Sequence, residues 1–192
     1  MEMAIQVFII LFVLLAVAML VLQMVSSQFS EQQKKLEEQR RKQERESKLA
    51  EMKGTCNTLC TQANSENTLL AKARFCIHAF RDGIDLTLNG TTNDYDEKYF
   101  AGAVGVCEDA IYCSQLVECN VGTKLDMTAC KAILCSLWKS QGFTDEQISE
   151  KLKQFLHPGD CYDNNKPNHW YTRLFDTDGD GKVDPATEVK CE

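Results

Sequence analysis

The sequence predicts a mainly α-helical protein. A long N-terminal helix, apolar and then polar, leads into a small disulfide-rich, mostly helical head. Three observations carry this. The first 53 residues contain neither Gly nor Pro, the first of each being Gly54 and Pro158, so the two strongest helix breakers are missing. All ten cysteines lie beyond Gly54. Among those cysteines run apolar residues at helical spacing, with capping residues before them and Gly or Pro after them.

The first segment, residues 1–25, is an apolar helix. Met3 to Val25 is interrupted only by Gln6 and Gln23. At about 1.5 Å per residue that length suffices to cross a bilayer core of about 30 Å. No Lys or Arg precedes Lys34, so the basic start of a secretory signal peptide is missing. The segment reads as retained. Residues 26–53 form a polar helical stalk, rich in Glu, Gln, Lys and Arg, which are strong helix formers. Pairs such as Glu37 with Arg41 stand at the favourable i, i+4 spacing. Phe29 and Leu36 start a heptad that Gln43 and Ala50 do not continue, so the stalk reads as solvated rather than as a coiled-coil seam.

The third segment, residues 54–192, is a cysteine-rich extracellular head. The N-terminal 53 residues hold eight Lys/Arg and seven Glu, which leaves 13 Lys/Arg against 21 Asp/Glu for the head. An acidic head argues against nucleic acid, whose phosphates need a basic face. Cys56, Cys60, Cys76, Cys107, Cys113, Cys119, Cys130, Cys135, Cys161 and Cys191 make an even set. Next to a membrane-length run, they read as disulfides in an oxidising compartment. Zinc and redox readings lack the usual C-x-x-C. Cys56 and Cys60, one turn apart, share a helix face. Cys130 and Cys135 lie on different faces and should bridge to different partners. Cys161 with Cys191 is the one pairing expected, because it would close the loop around the acidic motif below.

Within the head, Asp126 is a candidate N-cap for a helix carrying Met127, Cys130, Leu134, Leu137 and Trp138, with Gly142 beyond its end. Thr144 and Gln147 make a capping box before Ile148, Leu152, Phe155 and Leu156, and His157-Pro158-Gly159 stops that helix. FDTDGDGKVDPATE follows later. It places Asp176, Asp178, Asp180 and Asp184 at positions 1, 3, 5 and 9 of an EF-hand-like loop, with Gly181 at position 6 and the Lys182 carbonyl at 7. Carboxylates alternating across a tight turn converge, and a hard divalent cation relieves their repulsion. Position 12 is Thr187, with Glu188 one residue late, so the motif resembles the EF-hand-like and dockerin-like loops of extracellular proteins. Structural calcium, bound by Asp176, Asp178, Asp180, Lys182, Asp184 and Glu188 within 176–188, is the expectation. The bland alternative is an acidic solvated turn.

DLTLNGTTNDYD gives a fainter echo, with Asp85, Thr87, Asn89, Asn93 and Asp96 at comparable positions. Asn89-Gly90-Thr91 is also a glycosylation sequon. A plain polar loop ranks first here, glycosylation of Asn89 second and calcium third. His78, His157 and His169 are scattered, with no zincin, nucleophile-elbow or phosphate-loop motif, and the chain reads as non-enzymatic with no catalytic residue. His169-Trp170-Tyr171 reads as aromatic core, with a carbohydrate-contacting surface as its rival.

One tension remains. The Lys/Arg-rich flank after the apolar run belongs in the cytoplasm by the positive-inside rule, while disulfides place it outside. It eases if a basic leader has been removed, or if the apolar helix ends up outside a membrane. MEMAIQVFIILFVLLAVAML, with a Glu near its start and a polar helix and head behind it, resembles the N-terminal helix of archaeal type IV pilins. In that family a peptidase removes a leader, and the apolar helices leave the membrane and bundle into a filament core with heads outward. The resemblance implies a homo-polymer at the cell surface, membrane-inserted before assembly; a cell-surface or carbohydrate ligand is a separate expectation for the head, with motility or adhesion left open as its purpose. It also implies an assembly role for Glu2, which would neutralise a neighbouring subunit's amino terminus. Glu2 is second here, whereas the family's glutamate usually stands fifth in the mature chain. The alternative is a single-pass membrane-anchored adhesin or receptor ectodomain. A helix apolar on every face needs apolar surroundings on every face, and lipid or a bundle of identical helices can supply them.

Overall fold

Helix α1 spans Glu2–Glu66 and passes straight through Gly54. In this computed structural model the backbone is described over residues 2–81, 95–96 and 106–191, and the side chains over 10–23, 29, 31–81 and 106–191. A mid-helix Gly costs about 1 kcal/mol relative to Ala. Packing on either side offsets that cost: Met52, Cys56 and Ala63 are buried, and Leu49, Leu59 and Cys60 are partly buried. These positions recur at the three-and-four spacing of one helix face. The chain divides into two units, Met1–Glu44 and Arg45–Glu192, so the last third of α1 belongs to the head.

In the first unit the expected Glu37–Arg41 pair forms at 3.4 Å, exposed on both sides, where such pairs contribute little. Every side chain from residue 10 to 23 is exposed. Among the described residues no helix is long and apolar enough to cross a membrane. Glu2 lies in the backbone of α1, and its side chain is outside the described ones.

The head begins with a turn. Asn67 takes φ +48° and its N–H donates to Ala63 O, closing α1 with a left-handed residue. Thr68 then caps α2 (Leu69–Ile77), its hydroxyl accepting from the Ala71 N–H. Among the described residues three antiparallel pairs of two-residue strands follow: β1 (Ala79–Phe80) with β4 (Ile111–Tyr112), β2 (Tyr95–Asp96) with β3 (Val106–Cys107), and β5 (Asn120–Val121) with β6 (Thr123–Lys124). The short helix α3 (Cys113–Leu116) sits between β4 and β5.

Helix α4 (Met127–Ser140) starts at Asp126, whose carboxylate accepts from Ala129 N–H at 2.8 Å. Helix α5 (Asp145–Phe155) starts with the Thr144–Gln147 box. Helix α6 (Trp170–Phe175) is capped by His169 Nδ1, which accepts from Tyr171 N–H at 3.1 Å. The core gathers Phe75, Ile111, Tyr112, Leu134, Ile148, Leu152, Leu156 and Phe175 from these elements. His169, Trp170 and Tyr171 are all buried within it, which removes them as a carbohydrate-contacting surface. Tyr112 pins the end of α5, its hydroxyl lying 2.7 Å from His157 O while accepting from Arg81. Burial pushes that phenol up to about 12, with Arg81 opposing.

Five disulfides close the head: Cys56–Cys113, Cys60–Cys119, Cys76–Cys130, Cys107–Cys161 and Cys135–Cys191. The expected Cys161–Cys191 pairing is therefore corrected. Cys161 follows a loop that folds back on the β3–β4 corner, and the C-terminal segment carries Cys191 to α4. Cys56 and Cys60 both reach the α3 region. Cys130 and Cys135 go to α2 and to the C-terminal segment respectively. Each bridge spans 54 to 59 residues. For loops of that length the chain-entropy account assigns about 4 kcal/mol to an isolated crosslink. Interleaved loops do not add, but the scale shows how a head with such short strands can hold together.

Candidate metal centre

The acidic loop starts where α6 stops. Asp176 is the C-cap residue of α6, its N–H donating to Thr172 O at 2.8 Å. From there the carboxylates fold the chain around themselves. Asp176 accepts from Gly179 N–H at 2.7 Å and from Gly181 N–H at 3.0 Å, one bond to each oxygen. Gly181 sits at φ +81°, and a Cβ there would press to 3.3 Å on Pro167. The left-handed turn and the close approach both demand glycine.

Glu188 ties the two limbs of the loop. Its Oε1 accepts from the N–H of Thr177 at 2.8 Å and from the Thr177 hydroxyl at 3.2 Å, and its Oε2 accepts from Asp184 N–H at 2.6 Å. The backbone N–H groups of Asp184 and Thr177 hold its carboxyl below the usual carboxylate range. Its side chain is buried, as are Val183 and Val189 beside it.

Oxygens of Asp176, Asp178 and Glu188 all lie within 4.8 Å of one another. Oxygens sharing a calcium ion at about 2.3–2.6 Å stand no farther apart than about 5 Å, so this trio fits a hard cation. A donor set of carboxylates alone selects calcium, magnesium or manganese over zinc or copper. The other expected ligands are placed differently. Asp180 accepts from Lys182 N–H at 2.8 Å. Asp184 caps a short turn, its carboxylate accepting from Ala186 N–H and the Thr187 hydroxyl, both at 2.9 Å, and those two donors hold its carboxyl low. Thr187, at the formal twelfth position, is thus spent on Asp184, and the late Glu188 takes the place at the trio. Among the described residues the carboxylates that gather within 4.8 Å are those of Asp176, Asp178 and Glu188.

Sequence reasoning missed Thr177, whose N–H and hydroxyl both hold Glu188; the only signal was a hydrogen-bonding side chain next to the first Asp. It also missed the plugs Val183 and Val189, which sit among polar residues where no periodicity marks them. Asn89, with the weaker loop from Asp85 to Asn93, lies outside the described residues. Comparison with protein-family models, with curated proteins and with solved structures found no match for this chain.

Proposed function

We propose that this protein is a structural subunit of an extracellular filament of the type IV pilus kind, polymerising through its apolar N-terminal helix. One observation carries the reading. Residues 10–22 are apolar and wholly exposed within the single chain, with Phe12 at 75%, Leu15 at 55% and Leu22 at 68%. Apolar surface is removed from water at about 25 cal/mol per Å², so such a helix has a strong drive to be covered on all sides. A bundle of identical helices covers every face at once and repeats without closing. Before assembly the same helix lies in the membrane, with Glu2 near its surface.

The head is the displayed part. Five disulfides suit it to an oxidising exterior, and calcium at Asp176, Asp178 and Glu188 stiffens its C-terminal loop. Its role is contact with surfaces rather than catalysis. A second reading, a membrane-anchored adhesin or receptor ectodomain, uses the same exposed helix with lipid as its cover. Leu15→Lys separates the two. A charge in the middle of the bundle should abolish sedimentable polymer while the head keeps its five bridges by mass. Polymer of normal length from the Lys variant would overturn the filament reading.

A further inference from the structure

The Cys107–Cys161 bridge has a carboxylate pressed against it. Asp109 Oδ1 faces both sulfurs of the bridge, 3.0 Å from Cys161 Sγ. The other oxygen is anchored: Oδ2 accepts from Asp160 N–H at 2.8 Å and from Cys161 N–H at 3.2 Å. Room for this comes from Gly159 at φ +94°, where a Cβ would collide with Asp109 Oδ1 and stand 2.8 Å from Cys107 Sγ. The Gly159 N–H is itself held by His157 Nδ1 at 2.9 Å. Cys107 is buried, and Asp109 and Cys161 are half-buried, so the charge is fixed in position and only partly screened by water.

We propose that Asp109 is an electrostatic guard of this bridge, slowing its exchange with external thiols. Disulfide exchange proceeds by attack of a thiolate, never the neutral thiol. An incoming thiolate bonds to Cys161 Sγ as the Cys161–Cys107 bond breaks. The electron pair leaves on Cys107 Sγ, which then takes a proton from solvent. With a dithiol reagent, its second thiolate displaces Cys161, so the reagent is oxidised to its cyclic disulfide and the bridge is reduced. Negative charge is spread over the sulfurs throughout, and Asp109 repels it at both ends of the bond. Cys135–Cys191 provides an internal comparison, since it also joins a buried to a half-buried sulfur.

The test uses the full chain in detergent, wild type and Asp109→Asn, exposed to dithiothreitol, quenched by alkylation and mapped bridge by bridge by mass spectrometry. Asn keeps an oxygen for the Asp160 and Cys161 N–H groups, removes the charge and turns a neutral NH2 toward the sulfurs. The expected result is reduction of Cys107–Cys161 about tenfold faster in the variant at low salt, a gap that narrows as salt screens the charge. Cys135–Cys191 should keep its rate. An unchanged or slower Cys107–Cys161 rate would overturn the proposal. So would equal acceleration of all five bridges, because that would report a loosened fold rather than a local charge.

Discussion

At the scale of single residues, His169 shows how packing overrides a side chain's usual chemistry. Its ring is fully buried between Tyr162 and Trp170 while Nδ1 caps α6. Burial, aided by the charge of Lys166, lowers its pKa to about 3 from the ordinary 6.5. The sign follows from linkage. The folded chain keeps the ring neutral while the unfolded chain protonates it, so this contribution is complete above pH 6.5 and is lost progressively as pH falls from there towards 3. Stability of the head should therefore drop by about 1–2 kcal/mol between neutral pH and pH 5 from this residue alone. His169→Asn keeps a capping oxygen and should flatten that slope in thermal melts; an unchanged slope would mean that other groups set it. The sequence could not supply this, because His169-Trp170-Tyr171 reads as core or as surface until the neighbours are known. The caps at Asp126 and Thr144 were legible because each depends on residues within one turn.

At the scale of elements, what was legible ended where partners are distant in sequence. The starts of α4 and α5 are local and read correctly. The extent of α1 as far as Glu66 was not, because the stripe Met52, Cys56, Ala63 packs into a core built from residues far along the chain. The pairing of Cys161 with Cys107 rather than Cys191 is likewise a tertiary fact. The acidic loop lies between these cases. Its alternation marked a segment whose carboxylates divide between the trio of Asp176, Asp178 and Glu188 and the turn held by Asp184. With calcium in excess over its dissociation constant, bound ion should stabilise the head by about 2 kcal/mol, or several degrees in Tm. Chelation should remove that increment from the wild type and leave Asp176→Asn unaffected, as measured by calorimetric melts. Equal melting with and without chelator would leave the loop an acidic turn.

At the scale of the whole molecule, the chain joins two materials. One unit carries an exposed apolar run, and the other is an acidic head crosslinked five times. The apolar run was legible because composition alone defines it; what covers it is not, because the covering surface belongs to other molecules. The proposed filament answers that with copies of the same helix, and the tethered ectodomain answers it with lipid. The most direct measurement is electron microscopy of material sheared from the cell surface, with the protein identified in it by mass spectrometry. Helically ordered filaments, with N-terminal helices bundled at the axis and disulfide-bonded heads outside, are the expected result. Recovery of the protein only as separate particles in detergent-extracted membranes would contradict it.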